Sequence, residues 1–198
     1  MTSMLLTAGI VLLSCTMISA AAVFVNGIPD DEDSTSYSWT DPISGSVENV
    51  HLSPEEVVDH FRSVTENMSP HDTASVVLAF VQTAISYGRD IAIYGQQEYW
   101  ASPEETLRMR AGDCEDKAVL FRYLAERMGL DTVLVVIEGS SPGHIAAAVA
   151  LEGTYETILI VDGQEYAYCE TAADRYTPIG SVPVRSLENA KIIKNMEK

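Results

Sequence analysis

From Lys117 to Met128 the chain has to be a helix, and directly ahead of that helix stands a cysteine. Val119, Leu120, Phe121, Leu124 and Met128 recur at helical spacing and make one apolar face. Gly129 stops the helix as a left-handed C-terminal residue. Upstream, Ala111-Gly112 is a break and Asp113 is a natural N-cap, so Cys114 falls in the first turn. Unpaired N–H groups and the macrodipole there favour a thiolate over a thiol. A cysteine nucleophile needs that placement, because the thiolate is the reactive species. The competing reading is a small buried hydrophobe, which is what most free cysteines are. Against it stand Asp113, Glu115 and Asp116, foreign company for an apolar packing site. Those carboxylates also raise a thiol's pKa, so the helix terminus and a histidine must outweigh them.

The net charge of −17 argues against nucleic acid or anionic lipid as the main partner. The 198 residues suit one domain with an appendage, and a hydrophobic share of 46% is enough for a sizeable core. Cys15, Cys114 and Cys169 do not make a disulfide framework. Residues 1–25 read as a transmembrane anchor or signal segment. Met4 to Val25 carries no charge, and as a helix it would span about 33 Å, enough for a bilayer core. Cleavage near Ala22 would need a positive n-region, which is missing, so an uncleaved anchor is expected, with the domain on the extracytoplasmic side of the cell membrane. Residues 26–52 mix Gly, Ser, Asp, Pro and Thr without a sustained period and read as an acidic flexible linker. The domain is expected over 53–198.

Three serine-proline pairs announce helices: Ser53-Pro54-Glu55-Glu56, Ser69-Pro70-His71-Asp72 and Ser102-Pro103-Glu104-Glu105. The second helix is expected to run through Val76, Phe80, Val81 and Ile85 to Gly88. After Gly129 the pattern changes to strands at Thr132–Glu138, His144–Leu151, Tyr155–Val161 and Glu165–Glu170, with Asp162-Gly163 as a hairpin signal. Helices first and an antiparallel meander after them predict an α+β domain, with the Cys114 helix packed on the sheet. His144 then opens one strand and Glu170 closes another, at what can be one edge of the sheet. Cysteine on a helix start, histidine on a strand and a carboxylate on a nearby strand make a nucleophile, a base and an orienter.

Phe80-Val81-Gln82 with Ile85-Ser86-Tyr87, Glu98-Tyr99-Trp100, Glu105-Thr106-Leu107, Gly112-Asp113-Cys114-Glu115-Asp116, His144 and Tyr168-Cys169-Glu170-Thr171 together resemble the transglutaminase-like cysteine hydrolase superfamily. The likeness is to its short prokaryotic branch, which includes archaeal membrane-anchored members, and it covers roughly Ser53 to Gly180. It implies a papain-like fold and a triad of Cys114 as nucleophile, His144 as base and Glu170 as acid. The superfamily usually has aspartate in the third place, so Asp174 remains a rival orienter. Gln82 is a candidate oxyanion donor, as glutamine is in papain-like sites, and Tyr99 and Trp100 are candidates for a substrate-groove wall. Asp116 lies one turn from Asp113 and is expected to hold Arg108 or Arg110. His51, His60 and His71 have no ligand spacing to one another, so no metal site is expected, and no cofactor.

The function expected from all this is a membrane-anchored cysteine hydrolase acting on peptide or isopeptide amides through a thioester. Its partners would be a protein or peptide substrate and the membrane, through residues 4–25. The alternative is a non-catalytic peptide-binding or scaffolding module on the same fold.

Overall fold

Serine and proline start the three helices where the sequence places them. In a computed structural model, which describes residues 35–138, 143–181 and 190–194, α1 is Pro54–Thr65, α2 is Pro70–Thr83 and α4 is Pro103–Met109, with the short α3 (Asp90–Ile93) between α2 and α4. Ser53, Ser69 and Ser102 each accept a hydrogen bond from the backbone three residues on, and at α1 and α4 a glutamate returns the bond to complete the capping box. Each cap stabilises its helix by about 1 kcal/mol. The fifth helix, α5 (Cys114–Arg127), ends as its glycine demands. Gly129 takes φ 82°, Gly129 N–H donates to Glu126 O, and Leu130 N–H reaches back to Ala125 O, which satisfies the last carbonyls of the helix.

α5 packs on one face of a five-stranded antiparallel sheet of β5 (Thr132–Ile137), β6 (His144–Val149), β7 (Ile158–Val161), β8 (Gln164–Cys169) and β9 (Ala190–Ile193), and α1, α2 and α4 pack against α5. Leu120, Phe121 and Leu124 of α5, Val77, Leu78 and Phe80 of α2, and Ala147, Val149 and Cys169 of the sheet form one buried cluster. Ala147 is the small residue that lets α5 lie close on the central strand. The opposite face of the sheet carries a smaller cluster around Val133, Val135, Ala148 and Tyr168.

Strand order runs β7-β8-β6-β5-β9, which corrects the expected simple meander. Asp162 and Gly163, both at positive φ, do make the two-residue hairpin between β7 and β8. It is the second strand of that hairpin, β8, that lies beside β6. The strand β9 was not foreseen, nor was the short parallel pair β3 (Ser86–Tyr87) with β4 (Ala111–Gly112). That pair explains why α2 stops at Thr83 and does not continue to Gly88.

The expected linker is also corrected over its second part. Thr35–Thr40 (β1) and Val47–Leu52 (β2) form an antiparallel hairpin, turned by Asp41 and Gly45. In TSYSWT the two aromatics alternate with polar residues, and Tyr37 and Trp39 point into the core at 2% and 3% exposure. Trp39 meets Phe80 edge-on at 5.2 Å, and the Tyr37 hydroxyl donates to Leu107 O. The expected hydrophobic helix over residues 4–25 and the linker up to residue 34 lie outside the described residues. Among the described residues, no helix is long and apolar enough to cross a membrane.

Candidate active site

Local backbone geometry delivers Cys114 to the site. Arg110 leaves α4 in a left-handed conformation, φ 51°, and turns the chain into β4. There Ser86 N–H donates to Arg110 O and Gly88 N–H to Gly112 O, tying the approach to the end of α2. Gly112 has to be glycine, since a Cβ there would lie 2.6 Å from Cβ of Asp116. Asp113 is the N-cap residue, though its side chain makes no capping bond, and Cys114 is the first residue of α5.

Sheet register brings the other two residues together. Ala147 pairs with Cys169, so Glu170 falls opposite Ala146, on the face that His144 shares two residues away. Nε2 of His144 lies 3.0 Å from both carboxylate oxygens of Glu170. The Tyr168 hydroxyl donates to Glu170 Oε2 at 2.9 Å and Ala172 N–H to Oε1 at 3.2 Å. Burial pushes Glu170 up, but the bonds from His144, Tyr168 and Ala172 outweigh it and hold the carboxyl below its ordinary range. The same Glu170 bond raises His144 against the opposing pull of burial. Asp174 is exposed, and the carboxylate on the imidazole is Glu170.

With Nε2 taken up by Glu170, Nδ1 is the ring nitrogen left for another partner. Ile145, next to His144, directs its N–H at Cys114 and draws the thiol pKa down. Burial, followed by the hydrogen bond and charge of Glu115 and the charge of Asp113, does more and pushes the thiol up to about 12. The thiol donates to Glu115 Oε2 at 3.1 Å. The balance at Cys114 thus leans toward the thiol, against the expected advantage of the helix terminus and a histidine over the flanking carboxylates.

Gln82 is brought to the site in a different capacity from the one expected. It is 1% exposed, its Nε2 donates to Glu170 O and Thr177 O at 2.8 and 3.2 Å, and its Oε1 accepts from Thr177 N–H at 2.9 Å. Both amide hydrogens are used in fixing the segment after β8, so neither is left for an oxyanion. The Tyr99 hydroxyl donates to Glu105 and its ring packs on Tyr94 at 4.7 Å, while Trp100 stands exposed. Asp116 takes Ala101 N–H at 2.8 Å, not an arginine. Of the other histidines, His51 bonds Ser36, His60 lies edge-on to Trp39, and His71 pairs with Asp72. Cys114 and Cys169 are free thiols, Cys169 fully buried on the helix side of the sheet.

Two residues near the site were given no role in the sequence reading. Lys117, one turn into α5, is fully buried, and its ammonium donates to Gln82 O, Ile85 O and Ala173 O. Tyr87 is exposed beside Cys114, where burial and then the charges of Cys114, Asp113 and Glu115 raise its hydroxyl. The β3–β4 pairing, Tyr87 opposite Gly112, puts it there.

The model of the transglutaminase-like domain family matches residues 56–197, most of the chain. The chain belongs to the transglutaminase-like domain family. This member is 37% identical over 70 residues to a UPF0252 protein of Archaeoglobus fulgidus. That match covers 34% of this chain and only 22% of the relative's length. Among solved structures it is similar to calcium-bound LapG of Legionella pneumophila, with a TM-score of 0.48 and 17% identity over 70% of this chain and 71% of that one.

Proposed function

We propose that this transglutaminase-like protein is a cysteine hydrolase that cleaves peptide or isopeptide amides, with Cys114 as nucleophile, His144 as base and Glu170 as orienter. The observation that carries the reading is the two-oxygen grip of Glu170 on His144 Nε2 at 3.0 Å, which leaves Nδ1 as the proposed proton acceptor, while Ile145, next to His144, directs its N–H at Cys114. A thiol pushed upward by burial and bonded to Glu115 fits general-base activation rather than a standing thiolate–imidazolium pair. Sulfur attacks the amide carbonyl carbon as its proton passes to Nδ1. The C–N bond then breaks, and the leaving amine takes that proton. Water attacks the thioester, gives a proton to His144, and the S–C bond opens to a free acid while the thiol regains its proton. Because Gln82 is committed elsewhere, backbone N–H groups of the first turn of α5 are the donors proposed for the oxyanion. Residues 4–25 are proposed to hold the domain at the membrane on the extracytoplasmic side; alkaline-resistant sedimentation of the full chain supports that, and a soluble mature chain starting near Val23 refutes it.

The test is hydrolysis of a peptide and isopeptide library by the full chain, with Cys114→Ala as the blank. Turnover that vanishes in the variant supports the proposal; no turnover of any amide overturns it. The thiol's bond to Glu115 favours a second reading, a binding module that keeps the fold without the chemistry. Peptide binding of equal strength in wild type and Cys114→Ala, with no turnover, would select it.

A further inference from the structure

Behind the carboxylate of Glu170 stands a buried tyrosine that the amide chemistry does not use. Tyr168 is 1% exposed, in the cluster on the face of the sheet away from the helices, and its hydroxyl donates to Glu170 Oε2 at 2.9 Å. Glu170 follows two residues on, so the two side chains share that face, as His144 does across the strand pair. The neighbouring strand makes room for them. Ala148 pairs with Tyr168, and Ala146 falls opposite Glu170, so their partners on β6 carry only methyl groups. A buried phenol packs like a hydrophobe, but its hydroxyl must find a partner, a need that phenylalanine in the same space would not have. Burial, and then the charge and hydrogen bond of Glu170, push the hydroxyl's pKa up, so it remains a donor well above neutral pH.

The carboxylate has a use for that donor. Glutamate reaches His144 over one more methylene than aspartate, the residue usual at this place in the superfamily, and its last torsion is broad and weakly held. The backbone ties act elsewhere: Gln82 Nε2 donates to Glu170 O and the Lys117 ammonium to Ala173 O, which fixes the main chain and leaves that torsion free. Two further donors act on the tip. Ala172 N–H donates to Oε1 at 3.2 Å and the Tyr168 hydroxyl to Oε2, so each oxygen has one anchor besides its bond to His144 Nε2. An anchor on each oxygen sets the plane of the carboxylate, and that plane decides whether both oxygens face the imidazole. We propose that Tyr168 is a positioning residue of the triad: its hydroxyl holds the Glu170 carboxylate in the plane that grips His144, and so lets the longer glutamate do the work of an aspartate. This rests on the reading of Cys114, His144 and Glu170 as nucleophile, base and orienter, and adds a fourth side chain to it.

Tyr168→Phe removes one oxygen atom and keeps the ring, and with it the packing of the surrounding cluster. The full chain is inactivated with a peptidyl acyloxymethyl ketone over a range of concentrations, in wild type, Tyr168→Phe, Glu170→Gln and the double variant. Tyr168→Phe is expected to lower the maximal rate of Cys114 labelling about fivefold or more, and to leave the half-saturating concentration unchanged within about twofold, since the hydroxyl serves the chemistry and not the binding. In the Glu170→Gln background the same change is expected to cost less than about twofold, because the carboxylate it holds is gone. Should Tyr168→Phe fail to fold, Glu170→Asp carries the test. Its shorter side chain withdraws from the hydroxyl, and it is expected to label more slowly than wild type, although aspartate is the residue usual at this place. A Tyr168→Phe rate equal to wild type while Glu170→Gln is slowed overturns the proposal and leaves the triad standing. Equal slowing by Tyr168→Phe in both backgrounds, or a Glu170→Asp rate that matches wild type, does the same. A rate that Glu170→Gln does not change overturns the triad reading, and the proposal falls with it.

Discussion

Lys117 should make the protein more stable as the pH rises from neutral to mildly alkaline. Its ammonium is fully buried and sits 3.2 Å from Gln82 O, 2.8 Å from Ile85 O and 3.4 Å from Ala173 O, so it joins α5 to the end of α2 and to the segment that follows Glu170. Burial lowers its pKa to about 8, against the opposing pull of Asp174 and Glu170. In the unfolded chain it returns to about 10.4. Between those values the unfolded state holds a proton that the folded state has lost, and stability rises with pH wherever the unfolded state binds more protons. A gap of somewhat over two pKa units is worth about 3 kcal/mol in full, of which about 2.5 kcal/mol has appeared by about pH 10. Lys117→Met removes the titration and leaves the other groups in place. Urea unfolding of both proteins at pH 7 and pH 10 isolates the effect as the change in their difference. Wild type should gain about 2 to 3 kcal/mol on the variant between the two. A difference that stays constant with pH would mean that Lys117 is not a desolvated ammonium, and the link it makes between α2, α5 and the Glu170 segment would fall with it.

Three further outcomes are expected. Trp39→Ala should cost about 3–5 kcal/mol by chemical denaturation, because its ring packs against Phe61 and Phe80; a loss under about 1 kcal/mol would return the β1–β2 hairpin to the status of a linker. Glu170→Gln should slow alkylation of Cys114 by a peptidyl electrophile about tenfold or more, through loss of the carboxylate that stabilises imidazolium, and Asp174→Asn should change it little; the reverse order would make Asp174 the orienter. Thiol counting without reductant should find Cys169 unreactive in the folded protein and reactive once unfolded, whereas a Cys114–Cys169 bridge would contradict the strand parity that sends Cys169 to the helix side and Glu170 to His144.

What could be read in the sequence was what its local punctuation encodes. Ser53, Ser69 and Ser102 with their prolines, Gly129 and Asp162-Gly163 act within a few residues, and each did what its chemistry requires. Cys114 and His144 fall at element starts and Glu170 directly after a strand, so the site's outline was visible as well. Pairings set across long separations were not. Nothing near Glu165 says that β8, and not β7, lies beside β6, although that choice places Glu170 diagonally across from His144. The hairpin at 35–52 was hidden by serine and threonine around Tyr37 and Trp39, whose alternation is a strand signal once composition is set aside. Electrostatics ran against the local rule. The helix start favours a thiolate at Cys114, but burial together with Glu115 and Asp113 outweighs it. Gln82 shows the same limit, since its amide reads as a free donor until Glu170 O and Thr177 O are found to occupy it.

The central claim is that Cys114 reacts as a nucleophile through His144. Its most direct measurement is covalent labelling of the full chain with a peptidyl acyloxymethyl ketone, the adduct mapped by mass spectrometry and its rate compared in wild type, Cys114→Ala and His144→Ala. The account predicts one adduct, on Cys114, absent from Cys114→Ala and formed about a hundredfold more slowly in His144→Ala. Labelling at another residue, or a His144→Ala rate equal to wild type, would contradict it.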